Sequence, residues 1–91
     1  MVGDVGEQMA TQRDDGSWLI DGLMPIDELK ALLDIATLPN ESDYETVGGF
    51  VMAQLGHIPR TGTSFNWDEY RFEVVDMDDK RVDKVLAQKV T

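Results

Sequence analysis

A chain of 91 residues is long enough for one small hydrophobic core and too short for two, so these residues make up a single domain. The absence of cysteine excludes a disulfide framework, a thiolate nucleophile and a cysteine-based metal site. The net charge is −10, and residues 1–46 carry −9 of it, as eleven acidic side chains against Arg13 and Lys30. Nucleic acids and anionic lipids attract proteins mainly through lysine and arginine, so this charge makes both poor partners.

The hydropathy of the chain predicts a soluble fragment. No apolar run approaches the roughly 20 residues that a membrane helix needs, which argues against direct membrane insertion. The first residues have neither the basic nor the apolar part of a signal peptide. Residues 1–8 contain two glycines and few large apolar groups, so we predict a linker there and an ordered domain over residues 9–91.

A hairpin followed by a helix is predicted for the first third of the chain. Residues 9–13 and 17–20 have the length of strands, and Asp14-Asp15-Gly16 between them suits a tight turn. Pro25 is predicted in the first turn of the helix, where its missing N–H costs nothing. The helix should run to about Ile35, because it carries an apolar stripe at three- and four-residue spacing, made of Ile26, Leu29, Leu32 and Leu33.

Residues 36–43 are predicted to form a connecting loop, and a second helix should start near Asp43 or Tyr44. The evidence for that start is a capping box, in which Ser42 is followed three positions later by Glu45. Gly56 is predicted to end the helix as its C-cap residue.

Two glycines, Gly48 and Gly49, lie inside this second helix. Each costs on the order of 1 kcal/mol relative to alanine in a helix interior. Close packing of the helix against a sheet would offset that loss. We therefore interpret the pair as a helix–sheet contact.

The last third of the chain changes to a period of two and predicts three strands. Residues 64–67 and 70–76 flank a turn at Asp68-Glu69, and a strand from Arg81 to about Lys89 follows the next turn. Adjacent Val85 and Leu86 break the alternation, which predicts a bulge or a strand buried on both faces. The fold class is therefore α+β in two layers, with element order β-β-α-α-β-β-β and helices on one face of a largely antiparallel sheet.

Several blocks of this sequence resemble the CorC/HlyC transporter-associated domain: residues 15–29, 44–51, 56–59, 70–74 and 80–85. That family lies at the C-terminal end of bacterial membrane proteins, after a membrane domain and a pair of CBS domains. Some members are labelled haemolysins or are implicated in magnesium and cobalt efflux. The resemblance implies the same α+β architecture, and it implies that residues 1–8 are the link from a CBS domain absent from this chain.

The side chains that enzymes use most often show no catalytic pattern here, so we predict no catalytic residue and no enzyme. A hydrolase triad needs a nucleophile, a base and an orienting acid. His57 is the single histidine and follows a predicted helix end, where a structural role is more common. No serine lies in a Gly-x-Ser-x-Gly context, and no glycine pattern matches a dinucleotide or phosphate loop, so we predict no cofactor.

The densest acidic run offers a speculative metal site at Asp76, Asp78 and Asp79. Carboxylate oxygens suit magnesium or calcium, but the run lacks the glycine and glutamate positions of an EF-hand loop. A polar hairpin turn is the favoured interpretation. We therefore expect affinity for these ions no better than millimolar.

Trp67 is the candidate interface residue. It stands next to a predicted hairpin turn, where an exposed aromatic side chain can anchor a partner. A position facing a partner and a packed position are equally compatible with the sequence.

The sequence and the resemblance together predict a non-enzymatic regulatory or assembly domain of a membrane protein concerned with divalent-cation efflux. It would lie on the cytoplasmic side of the bacterial inner membrane and contact other domains of the parent protein. Weak homo-oligomers are a further expectation, because a small sheet leaves unpaired edges. The alternative is a sensor that binds a divalent cation directly through its acidic turns.

Overall fold

The structure, a computed structural model, describes residues 9–90. The predicted linker, residues 1–8, lies outside the described residues. Five strands and two helices make up the fold, in the order β1 (Ala10–Gln12), β2 (Trp18–Asp21), α1 (Ile26–Leu33), α2 (Val47–Leu55), β3 (Ser64–Trp67), β4 (Tyr70–Asp78) and β5 (Arg81–Lys89). This order confirms the predicted β-β-α-α-β-β-β arrangement.

All five strands join one antiparallel sheet with the strand order β1-β2-β5-β4-β3. The last strand therefore lies at the centre, where it pairs with β2 on one side and β4 on the other. The register between β4 and β5 shifts between Val74 and Met77. Val75 is an extra residue on β4 and Asp83 is an extra residue on β5, so the irregularity lies beside the predicted Val85-Leu86, while Val85 faces the core and is fully buried.

The three hairpin turns are where the sequence predicts them. Gly16 in the β1–β2 turn has a φ of 89°, a conformation that glycine adopts without strain. Asp68 in the β3–β4 turn and Asp79 in the β4–β5 turn have φ values of 57° and 60°. Aspartate tolerates this left-handed conformation better than most residues, so acidic side chains at both turns have a structural reason.

Helix α1 is shorter than predicted at both ends. Pro25 has extended backbone angles, with φ −60° and ψ 143°, and it precedes the helix at the N-cap position instead of lying in the first turn. The helix ends at Leu33 because Asp34 takes a left-handed conformation, with φ 57°, and its N–H bonds to the Lys30 carbonyl. The predicted end at Ile35 was two residues too late.

Helix α2 begins later than predicted, and the Ser42–Glu45 capping box is wrong. Residues Glu41–Asp43 form a short 3-10 helix, and Tyr44 is extended, with φ −155° and ψ 161°. The α-helix is capped instead by Thr46, whose Oγ1 accepts a hydrogen bond from the Gly49 amide at 3.3 Å. The predicted C-cap is confirmed, because Gly56 has a φ of 78°.

The two helix glycines have different neighbours. A Cβ atom on Gly48 would lie 3.1 Å from the Gly22 carbonyl oxygen and 3.3 Å from the Val82 carbonyl oxygen, so Gly48 makes the predicted helix–sheet contact. A Cβ atom on Gly49 would meet the Cβ of Tyr44 at 3.0 Å. The prediction that Gly49 also packs on the sheet was wrong, because a helix turns by about 100° from one residue to the next.

The core lies between the two helices and one face of the sheet. Phe50 of α2 is its centre and packs edge-on against Phe72 and Phe65, with ring centroids 5.5 and 5.9 Å away. The inward row of the sheet continues through Ile20, Val85 and Val74, which are almost completely buried. Both helices therefore cover the same sheet face.

Candidate functional site

The acidic turn predicted as a speculative metal site is only partly assembled. Asp78 and Asp79 line a shallow cleft of about 390 Å³ together with Lys80 and Arg81, whereas Asp76 does not line it. The Asp78 carboxylate accepts a hydrogen bond from the Arg81 guanidinium at 2.9 Å. Two basic side chains thus share the cleft with the carboxylates, which weakens its attraction for a cation.

Residues 9–90 contain no group of three or more His, Asp or Glu side chains placed to hold a metal ion. Calcium prefers six to eight oxygen ligands, and magnesium six in octahedral geometry. The site at Asp76, Asp78 and Asp79 stays a prediction.

Trp67 is half-buried and belongs to the edge of the aromatic core. Its ring meets Phe50 edge-on, with centroids 6.2 Å apart and an interplanar angle of 85°. Its other side lines an open cleft of about 420 Å³ between the end of α1 and the β3–β4 turn. The interface role of Trp67 stays a prediction, and the structure gives this residue a surface that faces a cleft.

The sheet face opposite the helices carries a row of paired residues that crosses all five strands. Leu19 of β2 pairs with Leu86 of β5, and the row continues on either side through Thr11, Glu73 and Ser64. Because Ile20 and Val85 point into the core, strand alternation places Leu19 and Leu86 on the opposite face. Both leucines are half-buried. We call the surface around them the outer sheet face.

Ion pairs flank the two leucines of the outer sheet face. Arg71 lies 3.0 Å from the Glu73 carboxylate and donates to the Ser64 hydroxyl at 3.2 Å. On the other side Lys84 lies 3.9 Å from the Asp21 carboxylate. An apolar centre with a polar rim is the usual anatomy of a protein contact surface. Sequence reasoning missed this face, although Leu19 between two inward side chains was a signal for it.

The loop between the helices is fastened by Glu41. Its carboxylate accepts a hydrogen bond from Lys30 Nζ at 2.7 Å and another from the Leu38 amide at 2.6 Å. The hydrogen bond from Lys30 is the main cause that lowers the pKa of Glu41, and the bond from the Leu38 amide is the second cause. The Lys30–Glu41 hydrogen bond also raises the pKa of Lys30. Eleven positions separate the two charged residues, so no local spacing pointed to this pair.

Ser17 and His57 both have structural surroundings. Ser17 is buried, and its hydroxyl and amide both donate to the Asp15 carboxylate, at 2.5 and 2.9 Å. These two bonds lower the pKa of Asp15 and fix the first hairpin turn. His57 is exposed, and its Nδ1 lies 3.1 Å from the carbonyl oxygen of its neighbour Ile58.

Five antiparallel strands covered on one face by two helices define a small α+β domain with an open sheet. No helix among residues 9–90 is long and apolar enough to cross a membrane. The chain belongs to the CorC/HlyC family, described as a transporter associated domain, which matches residues 11–91.

The chain is also similar to two longer proteins and to a solved domain. The UPF0053 protein sll0260 of Synechocystis is 52% identical over 96% of the chain, and the polyamine export protein of Escherichia coli K12 is 43% identical over 99% of it. The chain spans 20% of the length of each of these proteins. The solved CorC/HlyC domain of a Xylella fastidiosa hemolysin, in complex with Mg²⁺ and Mn²⁺, is 40% identical, with a TM-score of 0.79 over 91% of this chain and 99% of that one.

Proposed function

We propose that this chain is a non-enzymatic regulatory or assembly domain of a larger bacterial membrane protein that exports cations. It lies on the cytoplasmic side of the inner membrane and acts by contact with other domains of that protein. The curated relatives support the larger context, because the chain spans one fifth of their length. The exported cation is a divalent metal or, by analogy with the E. coli relative, a polyamine.

The outer sheet face is the observation that carries this proposal. Leu19 and Leu86 form its apolar centre, and the Arg71–Glu73 and Lys84–Asp21 pairs surround it. A domain that packs on its neighbours differently in two states of a transporter biases that equilibrium, typically by about 1 to 3 kcal/mol. A small surface is enough for an effect of this size.

The test is Leu86→Lys in the longer protein. Lysine at this position faces Glu73 across the strand pair, so the new charge is accommodated within the domain. We expect the isolated domain to keep its melting temperature within a few degrees, while export by the full protein changes. Ile58→Lys is the matched control, because Ile58 is 49% exposed and lies outside the sheet. Equal export by both variants would contradict the proposal.

Self-association through the same surface or through the sheet edges is part of this proposal. Edge strand β3 and edge strand β1 each leave one side of the ladder unpaired within residues 9–90. Sedimentation of the isolated domain at rising concentration measures it. If the domain stays monomeric to millimolar concentration, its partner is another domain of the parent protein.

The second candidate function is direct sensing of a divalent cation, and the Mg²⁺ and Mn²⁺ complex of the Xylella domain favours it. The speculative ligands in this chain are Asp76, Asp78 and Asp79. Calorimetry with Mg²⁺ and Mn²⁺ separates the two functions when each of these residues is changed to asparagine. Micromolar binding that one such change abolishes would establish sensing. Millimolar binding that is unaffected by all three changes and falls with added salt would leave the contact function.

A further inference from the structure

Edge strand β3 pairs with β4 in a hydrogen-bonding phase that the residues before it define. The amide of Val74 on β4 donates to the Thr63 carbonyl at 2.8 Å, and its carbonyl accepts from the Gly62 amide at 2.7 Å. Directly opposite residues in an antiparallel pair of strands alternate between hydrogen-bonded and non-hydrogen-bonded pairs. Phe72, two residues before Val74, is therefore in a hydrogen-bonded pair with Phe65 of β3.

The same alternation turns the main-chain groups of Ser64 and Asn66 toward the open side of β3, because both residues lie between hydrogen-bonded pairs. No hydrogen bond from another segment of residues 9–90 reaches their amides or carbonyls. Their side chains are exposed, while Phe65 between them packs against the core and is half-buried. The open edge thus offers two donors and two acceptors, on residues two positions apart.

This edge lacks two features that usually protect an edge strand from further pairing, charged side chains and proline. Residues 61–67 contain neither. The other edge strand, β1, is only three residues long and is followed by the charged residues Arg13, Asp14 and Asp15. Strand β3 is therefore the edge that is more open to another strand.

The spacing of the open groups on β3 is self-complementary. When a second copy of β3 runs antiparallel beside the first, with Phe65 on the two-fold axis, Ser64 of each copy faces Asn66 of the other. Each of these pairs exchanges two hydrogen bonds, so every open group of both copies gains a partner. The two Phe65 side chains then meet as a non-hydrogen-bonded pair, the arrangement in which cross-strand side chains come closest.

The charges around β3 do not oppose this contact. Residues 60–75 contain two bases and three acids, a net charge of −1, whereas residues 1–46 carry −9. The charged side chains nearest the edge are already paired, since Arg71 lies 3.0 Å from the Glu73 carboxylate and donates to the Ser64 hydroxyl at 3.2 Å. The strand therefore adds little repulsion between two copies of an acidic chain.

We propose that two copies of this chain pair through β3 in antiparallel orientation, which makes one continuous ten-stranded sheet with both helical layers on the same face. The inference rests on the proposed contact function, because it names a second copy as a partner and assigns that contact to one edge. The outer sheet face stays free for other domains of the longer protein. Four hydrogen bonds and one aromatic pair make a small interface, so the dimer forms at high micromolar to millimolar concentration.

The first test is amide hydrogen exchange of the folded chain, followed by NMR at low and high protein concentration. In the monomer the Ser64 and Asn66 amides face solvent, whereas those of Phe65 and Trp67 bond to β4. We expect the two outward amides to gain protection as the concentration rises, while the two inward amides change little. Sedimentation over the same range gives the dissociation constant.

Two double substitutions with opposite expected effects test the register. Ser64→Lys with Asn66→Glu places opposite charges across the two-fold axis and leaves the net charge at −10. Within one copy these side chains face Glu73 and Arg71, so the fold tolerates them. We expect this variant to dimerise about fivefold more tightly, the size expected for two cross-strand ion pairs.

The second double substitution, Ser64→Lys with Asn66→Lys, places like charges across the axis. We expect it to stay monomeric, although two added lysines reduce the net charge from −10 to −8 and so reduce the general repulsion between copies. The controls are Thr11→Lys on edge strand β1 and Leu86→Lys on the outer sheet face. Neither control should change dimerisation, because neither residue lies on β3.

Three results would overturn the proposal. The first is a chain that stays monomeric to millimolar concentration. The second is a double variant with Asn66→Glu that dimerises no more tightly than the one with Asn66→Lys. The third is a dimer that Thr11→Lys or Leu86→Lys abolishes, which places the contact on another surface. The contact function in the longer protein fails separately, through unchanged export by its Leu86→Lys variant.

Discussion

The junction of Gly22, Gly48 and Val82 gives the sharpest prediction for the fold. A Cβ atom on Gly22 would lie 2.0 Å from the Val82 carbonyl oxygen and 2.9 Å from the Val82 carbonyl carbon. The carbonyl oxygen belongs to central strand β5 and has no flexible end that could swing away. Gly22→Ala therefore forces the β2–α1 turn and β5 apart by about 1 Å, the distance from 2.0 Å to the 3.0 Å below which real contacts are essentially absent.

The cost of this separation has two parts. Overpacking of a well-packed interior costs typically 1–3 kcal/mol, or about 2 kcal/mol here. The movement also strains two backbone hydrogen bonds, from the Gly22 amide to the Asp83 carbonyl and from the Gly48 amide to the Gly22 carbonyl, both 2.8 Å long. Each contributes about 1 kcal/mol. The total is about 2–4 kcal/mol, a large share of the stability of a domain this small, roughly 5–14 kcal/mol.

Gly48→Ala tests the same junction with a smaller disturbance. Its Cβ atom would meet oxygens at 3.1 and 3.3 Å, and the crowding is offset by about 1 kcal/mol of helix propensity. We expect this variant to lie within about 1 kcal/mol of the wild type. Gly16→Ala is the control for an added Cβ atom that meets no neighbour, because no atom lies within 4 Å of that position. Since Gly16 has a positive φ, this variant should cost only about 1–2 kcal/mol of backbone strain.

Urea unfolding followed by tryptophan fluorescence measures all three variants. We expect Gly22→Ala to be the least stable of the three by a clear margin. Unfolding of Gly22→Ala within about 1 kcal/mol of the wild type would refute this expectation, because no close carbonyl could then lie where the structure places it.

Three further predictions test local details. Thr46→Ala should cost about 1 kcal/mol of unfolding free energy and Ser42→Ala almost nothing, and the reverse order would restore the capping box that the structure replaces. Gly49→Leu should destabilise by more than about 1 kcal/mol, and the loss should be smaller in a Tyr44→Gly background, because glycine removes the Tyr44 Cβ that the new side chain meets. Folding lowers the pKa of Glu41, so its stabilisation is present above the ordinary value of 4.5 and is lost as the pH falls through the lower folded pKa. Glu41→Gln should therefore lower the melting temperature at neutral pH, with a gap to wild type that closes below pH 4.5; a constant gap down to about pH 3 would contradict the contact with Lys30.

The sequence predicted local structure well because turns, strands and helices depend mainly on residues that are close in the sequence. Turn residues such as Asp14-Asp15-Gly16 and the alternation in β4 indicated every strand, and the order of elements was confirmed. The predicted start of α2 was wrong because two polar residues, Ser42 and Thr46, can both act as an N-cap. Ser42 has a glutamate three positions later, as a capping box requires, whereas Thr46 is followed by Gly49 and gives no such signal.

The position of β5 in the sheet was beyond the reach of local patterns. Its central place depends on pairing with β2, more than sixty residues earlier, and with β4. The outer sheet face depends on the same pairing, since Leu86 meets Leu19 only there. The cleft beside Trp67 likewise joins Asp34 to a turn more than thirty residues away. Sequence reasoning singled out Trp67 but had no means to find the carboxylate across from it.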